Sequence, residues 1–267
     1  MKIFGFIGCG NMGGALARAV ADAVSGENLL LCDACAEKAE QLAKTLGARA
    51  VTLSEVAQKS DFLFLGVKPQ SFPALFDQLR PILDGRADGV VLISMAAGIS
   101  MGAVRELAGR DTAIIRIMPN TPVAVGEGMI LYDANRFVSE EQLTLFCDAL
   151  SGAGVLDRLA EEKIDAASAL SGCGPAFVYL FAEALADGAV ECGLPRDKAM
   201  LYAAQTLSGA AKLLLTSGQH PGALKDAVCS PGGTTIAGVH ALEAGAFRAS
   251  AMEAVTAAYE RTLQLKK

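Results

Sequence analysis

Three hydroxyl side chains and two adjacent glycines crowd one short segment, Ser230-Pro231-Gly232-Gly233-Thr234-Thr235, immediately ahead of a helical pattern. Pro231 and the glycine pair shape a turn that aims the N–H groups of Gly233, Thr234 and Thr235 outward, which makes the loop a receptor for a small carboxylate. Helix capping would need only one of those hydroxyls, so the pattern favours a ligand. A second loop of this kind, Ser171-Gly172-Cys173-Gly174-Pro175, places Pro175 where the first turn of a helix accepts it. Near the N-terminus, Phe6-Ile7-Gly8-Cys9-Gly10-Asn11-Met12-Gly13-Gly14 sets three spaced glycines between an apolar strand and a helical pattern. Gly8 suits a tight turn, Gly10 lets backbone approach a pyrophosphate, and Gly13 allows close helix–strand packing. The phosphates would rest on free N–H groups at the start of the helix near Asn11, where the helix dipole favours negative charge.

Other residues qualify this picture. Asp33 lies about 20 residues beyond the glycines, where the dinucleotide fingerprint expects the acid that binds an adenosine ribose. Its charge favours NAD over NADP; capping of the following helix is an equally weighted reading. Lys68, with Val67 and Pro69, stands at the carboxyl end of an apolar strand and faces the crevice where parallel sheets bind ligands. Met95-Ala96-Ala97-Gly98 is a loop of small residues that admits a flat ring. Cys32 and Cys35 form the one C-x-x-C, and with only two histidines in the chain no zinc site is expected. His220 and His240 belong to no triad-like arrangement and read as helix-surface or helix-end residues.

The elements that must carry these residues alternate through the first half of the chain. Apolar runs at 3–7, 28–33, 61–67, 90–94 and 113–117 read as strands, 128–132 as an edge strand and 155–159 as a last strand. Helical spacing falls behind the glycines, at 37–46 and at 139–150, the last with Leu143, Phe146 and Leu150 as its stripe. Continuous apolar strands separated by helices imply a parallel sheet covered on both faces. Ser151-Gly152-Ala153-Gly154 reads as a flexible break, and beyond it the pattern is helical: 161–170, 175–192, 196–217, 222–228, 234–244 and 247–265. The expected fold is therefore α/β, with a dinucleotide-binding domain over 1–157 and a helical domain over 158–267. So much apolar helix surface in a small domain calls for a second subunit.

Composition bounds the function. A chain of 267 residues, 52% hydrophobic, can bury a substantial core, and its net charge of −6 speaks against a nucleic-acid or anionic membrane surface. The most apolar late stretch, 175–193, is interrupted by Glu183, Asp187 and Glu191 and reads as a buried helix of a soluble protein. No targeting segment is visible. Seven scattered cysteines point to a reducing cytoplasm.

Taken together, the glycine segment Gly5–Gly13, Val67-Lys68-Pro69-Gln70, Met118-Pro119-Asn120-Thr121-Pro122, Leu170–Ala176 and Ser230–Gly238 resemble those of pyrroline-5-carboxylate reductases. The resemblance covers nearly the whole chain, and the last motif is the most specific. It implies a Rossmann-type doubly wound domain followed by an all-α dimerisation domain, and reduction of 1-pyrroline-5-carboxylate to L-proline with NADPH or NADH, NADPH being narrowly favoured. It also implies a homodimer that assembles further, commonly into a decamer. By the same resemblance Ile7, Gly8, Cys9, Gly10, Asn11 and Met12 line the cofactor phosphates, while Val67, Lys68, Pro69, Ala96 and Ala97 flank its ribose and nicotinamide. Ser230, Gly233, Thr234 and Thr235 hold the substrate, with Thr235 on the ring nitrogen. Three positions depart from the family pattern: Cys173 replaces a serine, Ala227 an amide side chain, and Asp33 a neutral or basic cluster. The opening motif also resembles β-hydroxyacid dehydrogenases, but the helix after Gly174 lacks their catalytic lysine.

Overall fold

A computed structural model describes residues 2–265. Eight strands form one sheet: β1 (Phe4–Ile7), β2 (Leu29–Cys32), β3 (Arg49–Ala50), β4 (Phe62–Leu65), β5 (Val91–Ser94), β6 (Ala113–Pro119), β7 (Gly128–Ala134) and β8 (Gly154–Arg158). Their order is β3-β2-β1-β4-β5-β6-β7-β8, parallel throughout except for the antiparallel β6/β7 pair. The chain winds outward from β1 through β2 to β3, then returns to place β4 on the other side of β1. That reversal is the switch point at which such sheets bind ligands, outside the carboxyl ends of β1 and β4.

The strands are apolar at every position because the pleat divides their side chains between two cores. Phe6, Leu31, Phe64, Ile93 and Ile115 pack with α1 (Asn11–Val24) and α6 (Glu140–Leu150) on one face. Ile7, Leu30, Leu63, Leu92 and Ile114 pack with α3 (Leu53–Lys59), α4 (Phe72–Asp84) and α5 (Met101–Ala108) on the other. β1 and β4 run in register, so Phe4 stacks on Phe62 at 4.9 Å and Phe6 on Phe64 at 4.3 Å. These stacked pairs fix the two strands that flank the switch point.

Three features differ from the sequence reading. The segment expected as an edge strand, β7, lies inside the sheet between β6 and β8, and β8 is the edge. It is drawn in by Gly154, whose φ of 132° brings β8 so close that a Cβ there would lie 2.1 Å from the Gly128 oxygen. The stretch 151–154, expected as a flexible break, is an ordered 3-10 turn at Ser151–Ala153 that leads straight into β8. The sequence reading also leaves out β3, α3, α4 and α5; α4 runs through Pro81, which masks its helical signal.

The chain divides into two compact units. The first holds the sheet, α2 (Ala36–Leu46) and α7 (Glu161–Ser171), taking in residues up to Cys173 and those from Ala258 onward. The second, Gly174–Ala257, consists of α8 (Gly174–Glu191), α9 (Arg196–Ser217), α10 (Pro221–Ala227), α11 (Thr234–Ala244) and the first part of α12 (Phe247–Leu265). Its buried hydrophobic cluster is three alanines, Ala186, Ala199 and Ala203. Leu180, Leu201, Leu215 and Met252 are exposed. The helix expected to be buried, α8, thus buries only Ala186 within this chain. Among the described residues one helical stretch, Glu161–Glu191, is long and apolar enough to cross a membrane, and 17% of its 18-residue apolar window is buried.

Candidate active site

Each glycine of the N-terminal loop does a different job. Gly8 has φ of 100°, a conformation that other residues avoid, and a Cβ there would lie 2.5 Å from the Gly66 oxygen. A Cβ on Gly13 would lie 2.0 Å from the Gly8 oxygen, so α1 can sit against the loop only because that position is bare. Gly10 is the opposite case: a Cβ there meets nothing within 4 Å. Packing does not require glycine at this position, and the space beside it is open. Gly10 is also the N-cap of α1, with no side-chain hydrogen bond capping the helix. The first N–H groups of α1 are thereby left for an anion.

Asp33 follows β2 and turns back onto this loop. Its Oδ2 accepts from the Cys9 amide at 2.6 Å, and its Oδ1 accepts from the Cys35 amide at 2.9 Å. The N-cap of α2 is Cys35, with no side-chain cap, so Asp33 is not the cap of that helix. Burial pushes the Cys9 thiol up to about 12, helped by the Asp33 charge and by Cys32, and the Cys32 thiol is raised for the same first reason.

A cavity of about 1020 Å³ opens outside the ends of β1, β2 and β4. Ile7, Gly8, Gly10, Asp33, Val67 and Lys68 line it. Cys9 and Asn11 line an adjoining cavity on the far side of Gly10. Met12 packs against the core, and Pro69 opens a short 3-10 turn after Lys68. Ala96 is buried and Ala97 exposed in the loop after β5, and neither lines the large cavity. The sequence reading missed Thr52, the N-cap of α3, with Leu53 and Glu55 on that helix, and Ser71, the N-cap of α4, with Gln78 on that one, which wall the cavity.

The other candidate site lies in the second unit. Gly232 has φ of 69°, and Gly233 sits where a Cβ would come within 2.4 Å of Ser230 Oγ. The Gly233 amide donates to the Ser230 carbonyl at 3.0 Å, which closes the turn. Gly233 is the N-cap of α11, and no side chain caps that helix. Ser230, Thr234 and Thr235 therefore leave their hydroxyls free of capping, exposed beside uncapped N–H groups. His220 caps α10 instead, its Nδ1 accepting from the Gly222 amide at 3.1 Å, and His240 lies exposed on α11.

Behind the strand ends, two polar residues to which the sequence reading gives no role hold the frame. Arg116 on β6 is 2% exposed and donates to Asp165 on α7 at 2.7 Å, with Glu161 at 3.5 Å. Asn120 donates to the Ser171 carbonyl at 2.9 Å and accepts from the Met129 amide at 2.9 Å, tying β6 to α7 and β7. An arginine inside the apolar run Ile-Ile-Arg-Ile-Met was the available signal for the first.

Residues 161–265 match the family model described as pyrroline-5-carboxylate reductase dimerisation, and residues 3–98 match that of NADP oxidoreductase, coenzyme F420-dependent. The chain is similar to a pyrroline-5-carboxylate reductase of Arabidopsis thaliana, 41% identical over 98% of this chain and 95% of that one. It is also similar to the Escherichia coli (strain K12) enzyme of that name, 39% identical over 100% and 99%. Among solved structures, the pyrroline carboxylate reductase of Plasmodium falciparum with NADP bound superposes with a TM-score of 0.88 at 33% identity, covering 100% of this chain and 98% of that one. The pyrroline-5-carboxylate reductase of Coxiella burnetii gives 0.91 at 30% identity, over 100% and 99%.

Proposed function

The chain belongs to the pyrroline-5-carboxylate reductase family, NAD(P)H-dependent oxidoreductases that reduce 1-pyrroline-5-carboxylate to L-proline, and we propose that it does so with the cofactor across Gly10 and the substrate on the Ser230–Thr235 loop. NADPH is the reductant, with NADH also accepted. The observation that carries the cofactor placement is the bare, unobstructed space at Gly10 above the uncapped start of α1. Uncapped N–H groups and three hydroxyls at the start of α11 support the substrate placement.

When bound, the reduced nicotinamide supplies the hydride. The protein's own part is orientation and charge. The N–H groups at the start of α11, with Ser230 and Gly233, hold the substrate carboxylate, and the Thr235 hydroxyl bonds the ring nitrogen. Thr234 stands beside them as a further donor. A cyclic imine protonated on nitrogen is already electrophilic, so positioning the ring carbon against the nicotinamide supplies much of the rate, and no strong general acid is needed. Ile7 to Met12 and Asp33 hold the phosphate and ribose end, and Val67, Lys68, Pro69, Ala96 and Ala97 flank the rest.

The functional division we propose is 1–157 for the dinucleotide and 158–267 for substrate and dimerisation, supported by the dimerisation match over 161–265. A second unit whose fully buried cluster is three alanines needs a partner's apolar surface. The chain is a homo-oligomer built from dimers, which we propose assemble into a larger homo-oligomer such as a decamer. We place it in the cytoplasm, since all seven cysteines are free thiols. Spectrophotometric oxidation of NADPH by 1-pyrroline-5-carboxylate tests the function. Turnover of 3-hydroxy acids with NAD, and none of the imine, would overturn it.

A further inference from the structure

At the opposite end of the sheet from the dinucleotide cavity, beside the amino ends of β5 and β6, lies a smaller cavity of about 220 Å³. Arg86 lines it with a side chain only 5% exposed. Its Nη1 donates to the carbonyls of Ala57 and Ser60 at 2.7 and 2.8 Å, and its Nε donates to Asp88 at 3.1 Å. The remaining nitrogen, Nη2, makes no hydrogen bond among the described residues and is not sealed from the cavity. A guanidinium held this deep is costly while a donor goes unmet, so the open Nη2 calls for an acceptor. Two more donors share the space. Arg110 spends Nη1 on the Leu83 carbonyl at 2.7 Å, with Asp84 4.0 Å away, and keeps its other nitrogens unbonded among the described residues. Gln142 on α6 accepts from the Ser139 amide at 2.9 Å through Oε1 and leaves its Nε2 unbonded.

The same cavity carries the opposite charge at its rim. Asp88 and Asp111 line it with side chains 73% and 64% exposed, so two aspartates balance the two arginines. A bare anion would meet the carboxylates as well as the guanidinium groups, and a bare cation would meet the reverse. A molecule with a carboxylate and an ammonium on one carbon satisfies both. The volume falls below the range of about 300–1,000 Å³ that drug-sized ligands occupy, which restricts the occupant to a few heavy atoms. Leu83 and Phe137 supply an apolar wall for a short side chain. We propose that this cavity binds a small α-amino acid as its zwitterion, with the carboxylate on Arg86, Arg110 and Gln142 and the ammonium group on Asp88 and Asp111. The site is built wholly within the first unit, on loops that the proposed reaction does not use.

Titration calorimetry of the full-length protein with L-alanine tests the site. Arg110→Gln should weaken L-alanine by about tenfold, the size expected for one charge-assisted hydrogen bond. Asp111→Asn should weaken it too, whereas Ser230→Ala, on the loop assigned to the substrate, should leave it within about twofold. Acetate and ethylammonium carry one charge each and should bind at least about tenfold more weakly than L-alanine. Arg86 also holds the Ala57 and Ser60 carbonyls, so it is followed in the parent protein and not replaced. In protein grown on isotope-labelled arginine, its Nε–H resonance should move as L-alanine is added, and should move less at the same concentration in Arg110→Gln. Absence of L-alanine binding would overturn the proposal. So would binding that Ser230→Ala abolishes and Arg110→Gln spares, or acetate bound as tightly as L-alanine, which would mark a plain anion site.

Discussion

Arg116 and Asp165 form a buried ion pair at 2.7 Å between β6 and α7, with both side chains shielded from water. Removing one partner leaves a charge that the interior cannot solvate. Asp165→Ala should therefore destabilise the protein by about 3–5 kcal/mol, seen as a lower urea midpoint. Replacing both, Arg116→Met with Asp165→Leu, should recover most of that loss. A double variant as unstable as the single would show that the pair contributes specific bonding beyond charge compensation.

A bulky side chain at Gly10 should damage binding and spare the fold. A Cβ at this position meets nothing within 4 Å, so Gly10→Val has room in the free protein and obstructs only the ligand. Calorimetry should show dinucleotide affinity falling by at least about a hundredfold while the circular dichroism spectrum and urea midpoint hold. Unchanged affinity would reduce the loop to a turn.

Thr235 is the hydroxyl assigned to the reacting end. Loss of one well-placed hydrogen bond in a water-poor site costs about 2–4 kcal/mol of transition-state stabilisation, so Thr235→Ala should lose on the order of 10²–10³ in kcat/KM. Thr235→Ser should keep much of the activity, and NADPH affinity should hold in both. Ser230→Ala should chiefly raise KM for the substrate. If Thr235→Ala falls within a factor of a few of the parent, Ser171 becomes the next hydroxyl to test.

How legible all this was in the sequence depends on how local each signal is. The glycine fingerprint and the starts of α9, α11 and α12 were readable, because their turn residues and apolar periods sit side by side in the chain. α3 was missed because it is short, and β3 because both of its residues are exposed and give no apolar run. The Arg116–Asp165 pair spans 49 residues, so nothing near either residue names its partner. The cavity shared by Arg18 and Lys38 was also invisible, since they come from different helices and only the packing of α1 beside α2 brings them together.

The helical half should fail on dilution. With Leu180, Leu201, Leu215 and Met252 exposed in one chain, the second unit depends on mass action with its partner. Specific activity should drop below the dimer dissociation constant, in step with the appearance of monomer in sedimentation velocity. A fully active monomer would sink the proposal.

Alkaline pH should weaken the fold around the glycine loop. The Cys9 thiol rises from 9.0 to about 12 in the folded protein, first through burial. The unfolded chain therefore releases a proton that the folded chain keeps, so the stability is intact below about pH 9 and falls as pH rises towards 12. Urea midpoints should decline across that window, and Cys9→Ala should flatten the decline. At pH 8, iodoacetamide should label exposed Cys35 and spare Cys9 and Cys32.

The stacked strands β1 and β4 have a bearing on how this protein dies when heated. Phe62-Leu63-Phe64-Leu65 is fully buried, uncharged and free of proline. Released from the sheet, such a segment exposes an aggregation-prone strand to the same segment of other chains. Thermal inactivation is then a one-way process whose midpoint climbs with scan rate and drops with protein concentration, and shelf life is governed by the height of the unfolding barrier.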